Sequence, residues 1–427
     1  MKPLKTILPA TLDDYIARPE AAYKWGKIET REGAADELKL VSQTWQGANW
    51  THRVQIFRPA KPIAPDTAIL QIDFGIAIPG GDAIAQLLAN STGLTLINLY
   101  SVPNQPLYGL REDALIAYTF DKYLTTNDET WPLLLPMTKS VVKAMDAVAE
   151  YSRTKQYSGA KKTTPITKFI VTGASKRGWT TWLSAAVDPR VIGIMPMVYD
   201  NLDLAKQMPH QKEVWGGYSA KIDDYTKMGL QEKLQTPKGQ KLGAIVDPWT
   251  YRARITVPKL LVMGTNDEYW PLDAVNLYRK DLVGPTSFLY APNAGHSMDG
   301  QEPRVIGAAA SWAKLVAKGE KAPQVELKAE NPKADGSRDF TVFSLAPNAK
   351  ARLWFAHSPT QDFRQAKWKA TENMRVEEAG GYMTQMPAPP ADTKYSAAFG
   401  EIEIREPGML LPLILDTPVT VWKNDAK

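Results

Sequence analysis

This 427-residue chain has four imidazole bases, His52, His210, His296 and His357, and no cysteine. A nucleophile here must be an oxygen, and any imidazole activating it is one of four rings. Ser175 is the residue that asks for such a base. It sits at the apex of T-G-A-S-K-R-G-W (172–179), between Gly173 and Gly178. The apolar run Phe169-Ile170-Val171 precedes it, and a stretch with Trp179, Trp182, Leu183, Ala186 and Val187 follows. That order reads as strand, very tight turn and helix, a geometry that holds a serine hydroxyl out of the sheet. The spacing is G-x-S-x-x-G rather than G-x-S-x-G, so a glycine turn that merely contains serine is the competing reading.

A serine nucleophile needs a base, and the base needs an orienter. His296 follows the last apolar strand in N-A-G-H-S-M-D-G, where Gly295 permits close approach. His52 lies at the edge of an early hairpin and His357 in the C-terminal region; both read as structural, and His210 reads as a surface residue. Asp267 follows the preceding strand, in G-T-N-D-E-Y-W-P. The order Ser175, Asp267, His296 is that of the α/β-hydrolases. Glu268 competes with Asp267 for the orienting role, and Asp200, after another strand, is a third option that otherwise reads as a helix cap. Acyl transfer through a tetrahedral oxyanion also needs preorganised donors. The backbone N–H groups of Lys176 and Gly75 are the expected pair. Arg177, Trp270 and Gln105 are candidate substrate contacts. Set against these are salt bridging for Lys176 and Arg177, core packing for Trp270 and a plain loop contact for Gln105.

These residues need a sheet whose strand ends converge. Buried strands are expected at 67–74, 94–100, 166–172, 191–198, 259–263 and 287–290, with helices at 110–124, 137–151 and 305–316 between them. Strands alternating with helices at this spacing mean a mainly parallel α/β sheet covered on both faces. Residues 38–45 and 53–57 read as an added hairpin through 46–49. The looser stretch at about 200–253 is too long for bare loop and reads as a lid-like insertion with helices of its own. The expected organisation is an N-terminal arm (1–35), a catalytic domain (36–321) and a C-terminal β-sandwich of immunoglobulin-like type (322–427). The sandwich rests on short strands separated by turns such as Asp335-Gly336 and Pro347-Asn348.

Composition removes other classes. Apolar residues make up 44%, charged residues 23%, and the net charge is +5. No basic run is interleaved with aromatics, so no nucleic-acid partner is expected. No HExxH, EF-hand loop, His cluster, GxGxxG or P-loop occurs, so neither metal nor cofactor is expected. No apolar run reaches 18 residues, which excludes stable insertion as a membrane helix. The first residues lack the apolar core of a signal peptide, although a chain beginning after a removed signal would look the same. The expected partner is a small-molecule or peptide substrate.

Several long blocks carry a family resemblance: S-V-P-N-Q-P-L-Y-G, R-E-D-A-L-I-A-Y-T-F-D-K-Y-L, T-W-P-L-L-L-P-M-T-K-S, T-G-A-S-K-R-G-W-T-T-W-L, V-D-P-W-T-Y-R-A-R-I-T-V-P-K and A-P-N-A-G-H. Together they resemble the PhoPQ-activated pathogenicity-related protein family. The resemblance implies an α/β-hydrolase fold, a Ser-Asp-His triad at Ser175, Asp267 and His296, and bacterial proteins commonly exported to the periplasm or beyond, with a cytoplasmic location as the alternative. It also accounts for Lys-Arg-Gly after the serine. Asp73-Phe74-Gly75 departs from the family's glycine pair at the oxyanion loop. The elbow is similar to the G-C-S-R-x-G of glucuronoyl esterases. The insertion resembles that of prolyl-oligopeptidase-type exopeptidases, which need carboxylates to bind a free amino terminus; Glu112 and Asp113 are the candidates here, with a charge pair at a helix N-terminus as the favoured competing reading. The expected activity is hydrolysis of an ester or amide. The alternatives are such an exopeptidase and a non-catalytic binding or signalling protein.

Overall fold

A computed structural model describes residues 11–30, 35–75, 80–158, 164–371, 375–376, 380–405 and 409–424. The N-terminal side of the sheet is built from β1 (Lys24–Ile28), β2 (Asp36–Trp45) and β3 (Ala48–Phe57). The hairpin between β2 and β3 turns on Gln46-Gly47 alone, with φ of 47° and 78°. Two consecutive positive φ values match the twist of the flanking strands and fix the register. Residues 24–28, expected in an arm, pair antiparallel with β2 as the edge strand. K-W-G-K-I has too few apolar residues to read as a strand; Trp25 anchors it by donating Nε1–H to Glu150 at 2.6 Å.

Six parallel strands follow: β4 (Thr67–Ile72), β5 (Thr95–Leu99), β6 (Lys168–Ala174), β7 (Val191–Met197), β8 (Lys259–Gly264) and β9 (Thr286–Ala291). The sheet order is β1-β2-β3-β5-β4-β6-β7-β8-β9. These strands are continuous apolar runs because both faces are covered. Helices Leu134–Tyr151 and Lys176–Val187 share one core with the sheet, while Gly81–Thr92 and Glu302–Lys318 share the other. The chain order reverses beside β4, so β5 and β6 flank it and the carboxyl ends of β4 to β9 open on one side. Such a switch point is where open α/β sheets place their ligands.

Between β7 and β8 the chain forms helices Leu204–Trp215 and Pro237–Val246 with shorter turns between them. This segment is fastened to the rest. Trp179 Nε1 donates to Val246 O at 2.6 Å, Gln211 Nε2 to Tyr269 O at 2.8 Å, and Ser219 Oγ to Glu268 O at 2.5 Å.

After residue 325 come β10 (Glu326–Ala329), β11 (Arg338–Phe343), β12 (Lys350–Ser358), β13 (Lys369–Ala370), β14 (Arg375–Val376), β15 (Gly381–Met386), β16 (Tyr395–Ile404), β17 (Leu413–Asp416) and β18 (Thr420–Lys423). One sheet runs β10-β11-β15-β14. The other, β17-β16-β12-β13, continues the central sheet, because β17 pairs antiparallel with β9 at Asp416 and Phe288. Phe340, Leu353, Phe355, Met386 and Ala398 pack together in this region. A buried ion cluster reinforces the junction. Arg304, on the helix after β9, lies 2.7 Å from Glu401 and 3.1 Å from Asp416, and both carboxylates are sealed from solvent. A buried pair of this kind is costly to break from either side.

Candidate active site

Ser175 joins β6 to the helix Lys176–Val187 with φ 58° and ψ −121°. A non-glycine residue in that region costs about 1–3 kcal/mol, and the surroundings must hold it there. The Ser175 N–H donates to Met197 O at 2.9 Å, and its carbonyl accepts from Trp179 N–H at 3.0 Å. The two flanking glycines are steric requirements. A Cβ on Gly173 would lie 2.6 Å from Arg177 Cβ, and one on Gly178 would lie 2.9 Å from Met197 O. The extra residue in G-x-S-x-x-G therefore lies within the first helical turn and leaves the elbow intact.

Three strand ends bring the predicted residues together. His296 Nε2 lies 2.9 Å from Ser175 Oγ. His296 Nδ1 lies 2.9 Å from Asp267 Oδ2 and 3.1 Å from Oδ1. With the carboxylate accepting, Nδ1 carries hydrogen and Nε2 is free to accept the serine proton. Asp267 is buried and also accepts the Tyr269 N–H at 2.7 Å. Glu268, its competitor, takes a different place and accepts the backbone N–H of His296 at 2.8 Å. Gly295 makes that possible, since a Cβ there would stand 2.8 Å from Glu268 Oε2. Asp200 does not reach the imidazole; it accepts the Tyr278 hydroxyl at 2.7 Å, and burial pushes its carboxyl up to about 8.

The sequence reading missed Tyr269. Its ring stacks on His296 with centroids 3.9 Å apart, and fixes the face of the imidazole. The signal was its place two residues after Asp267, in the loop that must approach His296. Two asparagines were also missed. Asn266 Nδ2 donates to Ala366 O at 2.7 Å and lies within 3.2 Å of Phe363 O and Arg364 O. Asn293 accepts the Trp368 N–H at 2.7 Å and donates to Trp368 O at 3.0 Å. Each asparagine lies in the loop that carries Asp267 or His296. The C-terminal segment 363–368 thus grips both loops.

The oxyanion donors divide. The Lys176 N–H, in the first turn of its helix, has no intrahelical acceptor and stays available beside Ser175. The Gly75 N–H is already donated to Asp73 Oδ1 at 2.7 Å. Residues 76–79 lie outside the described residues.

The cations beside Ser175 are largely committed. Arg177 is buried at 4% exposure and forms two 2.6 Å bonds to Glu112 and one to Val102 O. Gln105 braces the same carboxylate at 2.5 Å and accepts the Glu112 N–H at 2.8 Å. Burial alone would raise the Glu112 carboxyl, but Arg177, with Gln105 and Lys176, overrides it and brings it down to about 2. Lys176 pairs with Asp113 at 2.6 Å, and Tyr225 donates its hydroxyl to Asp113 at 2.9 Å. The cations and carboxylates that were candidates for binding substrate thus satisfy one another.

Trp270 is buried, with Nε1 3.3 Å from Val198 O, and lines a cavity that also reaches Ser175 and Lys176. That cavity opens to solvent, and the space between its lining residues comes to about 640 Å³ with the open solvent included. Phe120, Trp179, Tyr199, Tyr225 and Tyr269 supply most of the remaining aromatic wall. The other histidines are elsewhere. His52 is buried between Ser42 and Tyr100 O, His210 meets Asp273 at 2.8 Å, and His357 meets Ser396 at 2.8 Å. Among the described residues no three His, Asp or Glu side chains cluster to hold a metal ion.

The model of the family described as PhoPQ-activated pathogenicity-related protein matches residues 12–364. The chain belongs to that family. The matched region contains Ser175, Asp267 and His296 and ends within the 363–368 clamp. The chain is 35% identical over 333 residues to autocrine proliferation repressor protein A of Dictyostelium discoideum, covering 73% of this chain and 66% of that protein. Its fold is similar to that of acetyl xylan esterase 1 from Thermoanaerobacterium sp. at 14% identity, with a TM-score of 0.45 over 72% of this chain and 95% of the other. It also resembles a glucuronoyl esterase from Solibacter usitatus at 13% identity, with a TM-score of 0.38 over 63% and 76%.

Proposed function

We propose that this PhoPQ-activated pathogenicity-related family member is a serine hydrolase with an α/β-hydrolase fold, and that it cleaves an ester or amide through an acyl-enzyme. The observation that carries this reading is the unbroken chain from Ser175 Oγ through the His296 ring to the buried Asp267 carboxylate, with each link at 2.9 Å. His296 Nε2 takes the Ser175 proton as Oγ bonds to the substrate carbonyl carbon. The Lys176 N–H stabilises the oxyanion. Collapse of the tetrahedral adduct breaks the bond to the leaving group, which receives the proton from Nε2. Water then attacks the acyl-enzyme by the same route and gives its proton to Nε2, which returns it to Ser175. Asp267 holds the productive tautomer and offsets the imidazolium charge.

The exopeptidase reading needs carboxylates free to meet an amino terminus. Glu112 and Asp113 already carry Arg177 and Lys176, which favours the ester or simple amide. The Dictyostelium relative's name, autocrine proliferation repressor, favours a second reading, a non-catalytic signalling protein on this fold. A fluorophosphonate probe separates the two. The hydrolase labels at Ser175 and loses the label in Ser175→Ala. Folded wild-type protein that takes no label overturns the hydrolase reading.

A further inference from the structure

The cavity beside Ser175 is lined from two parts of the chain. Lys176 and Trp179 follow Ser175 in its helix, and Tyr269 and Trp270 come from the loop of Asp267. Much of the rest comes from the segment between β7 and β8, which contributes the apolar side chains of Leu204, Met208, Ile222, Leu230 and Leu234. Polar groups add little to this lining. The Tyr199 hydroxyl and the side-chain oxygens of Asn201 and Gln231 are sealed away from it. Among the described residues that line it, only Asp113 and Lys176 carry charge, and they neutralise each other at 2.6 Å. Tyr225, from the same segment, donates its hydroxyl to the second Asp113 oxygen at 2.9 Å.

We propose that this cavity is the acyl-binding pocket and that it selects an uncharged hydrocarbon acyl group longer than acetyl, with the segment between β7 and β8 setting that choice. This deepens the hydrolase reading and rests on it. The position selects the acyl side. The leaving group must lie against His296 Nε2 to receive its proton, whereas the cavity is bordered by Ser175 and Lys176 and not by His296. The walls select hydrocarbon. Aliphatic side chains from one part of the chain and rings from the other offer an alkyl group contact along its length, and each methylene placed there leaves water. A two-carbon group cannot touch all of these walls at once. The charges select against an ionised acyl group. A carboxylate in this cavity meets no free cation, because Lys176 and Arg177 already pair with Asp113 and Glu112. A charge taken out of water without a partner is strongly disfavoured.

Nitrophenyl esters of acetate, butyrate, hexanoate and octanoate are compared with nitrophenyl hemisuccinate. kcat/KM is expected to rise about fourfold per methylene until the cavity is filled, which puts hexanoate about a hundredfold above acetate. The hemisuccinate is expected about tenfold or more below butyrate, its uncharged counterpart. Leu204→Trp and Leu234→Trp each add bulk to the lining from the segment between β7 and β8, so the octanoate-to-acetate ratio is expected to fall about tenfold in either. A flat series, a preferred hemisuccinate, or a ratio that both variants leave intact overturns the proposal. Fluorophosphonate labelling of Ser175 is read in parallel, so that a labelled enzyme with a flat series refutes the pocket alone. If Ser175 does not label, the hydrolase reading fails, and tryptophan fluorescence titrated with octanamide and butanamide tests the cavity by itself. Tighter binding of octanamide, weakened in Leu234→Trp, upholds an apolar ligand site there, and an equal response to both amides overturns it.

Discussion

Replacing Arg177 by methionine separates two roles for a cation next to Ser175: support of the scaffold or capture of an anionic substrate. Methionine keeps much of the stem volume and removes the guanidinium. The loss comprises two 2.6 Å bonds to Glu112 and one to Val102 O. Removing one partner of a buried pair costs about 3–5 kcal/mol. The Glu112 side chain is 34% exposed, so water recovers part of that. The carboxyl gives an independent figure. Its fall from 4.5 to about 2 is worth about 3 kcal/mol before discounting, a net effect of burial, Arg177, Gln105 and Lys176 together, and partial exposure leaves about 2 kcal/mol. Arg177→Met is therefore expected to lose about 2–3 kcal/mol in urea unfolding at neutral pH. The sign with pH follows from a depressed carboxyl. The stabilisation is complete above 4.5 and disappears as pH falls through about 2. Wild type and variant should converge across that window. Glu112→Gln in the Arg177→Met background should cost little more, because the orphaned charge is then gone. An Arg177→Met protein of unchanged stability, with KM raised only for carboxylated esters, would refute this reasoning and return Arg177 to the substrate.

Asp267→Asn keeps the shape of the side chain but can present an N–H to His296 Nδ1, which favours the wrong tautomer. Turnover of a phenyl ester is expected to fall by about 10³–10⁴-fold with KM little changed, measured by steady-state kinetics. Asn266→Ala and Asn293→Ala release the acid and base loops from the 363–368 clamp; kcat is expected to drop by about tenfold, with the fold intact by circular dichroism. His52 is held neutral because burial, only partly opposed by its bonds to Tyr100 and Ser101, brings its pKa down to about 4. Stability should therefore fall as pH drops from 6.5 towards 4, a slope that denaturant titrations will show flattened in His52→Gln.

Much of the arrangement around Ser175 is legible in the amino-acid sequence. The apolar runs before Ser175, Asp267 and His296 mark three parallel strands, and in such a sheet all carboxyl ends fall on one side. Order and strand type alone therefore bring three residues spread over 121 positions towards one place. Legibility failed where an interaction crosses the chain without a local pattern. The short side chain and loop position of Asp267 pointed to it for the ring, but nothing near Glu268 says that its carboxylate meets the backbone. That is settled by Gly295, whose missing Cβ admits the Glu268 carboxylate to the His296 N–H. The edge strand β1 was missed because its fit depends on its neighbour β2 and on Glu150, not on its own period.

The amino-acid sequence by itself determined the tight turn at Ser175, the chain order of Ser175, Asp267 and His296, and the alternating strands and helices, because turn sterics and hydrophobic periodicity are local. Tertiary structure alone decided the fate of the charges around Ser175. For Lys176 and Arg177, salt bridging stood against attraction of an anion, and the loop after β5 and the helix beginning at Glu112 fold back to neutralise them. It also decided that the C-terminal strands extend the central sheet and that segment 363–368 braces the loops of Asp267 and His296, since Asp416 meets β9 and Trp368 meets Asn293 only once the chain has closed. Electrostatic pairing and loop support depend on distances between segments far apart in the chain, and those distances are set by packing.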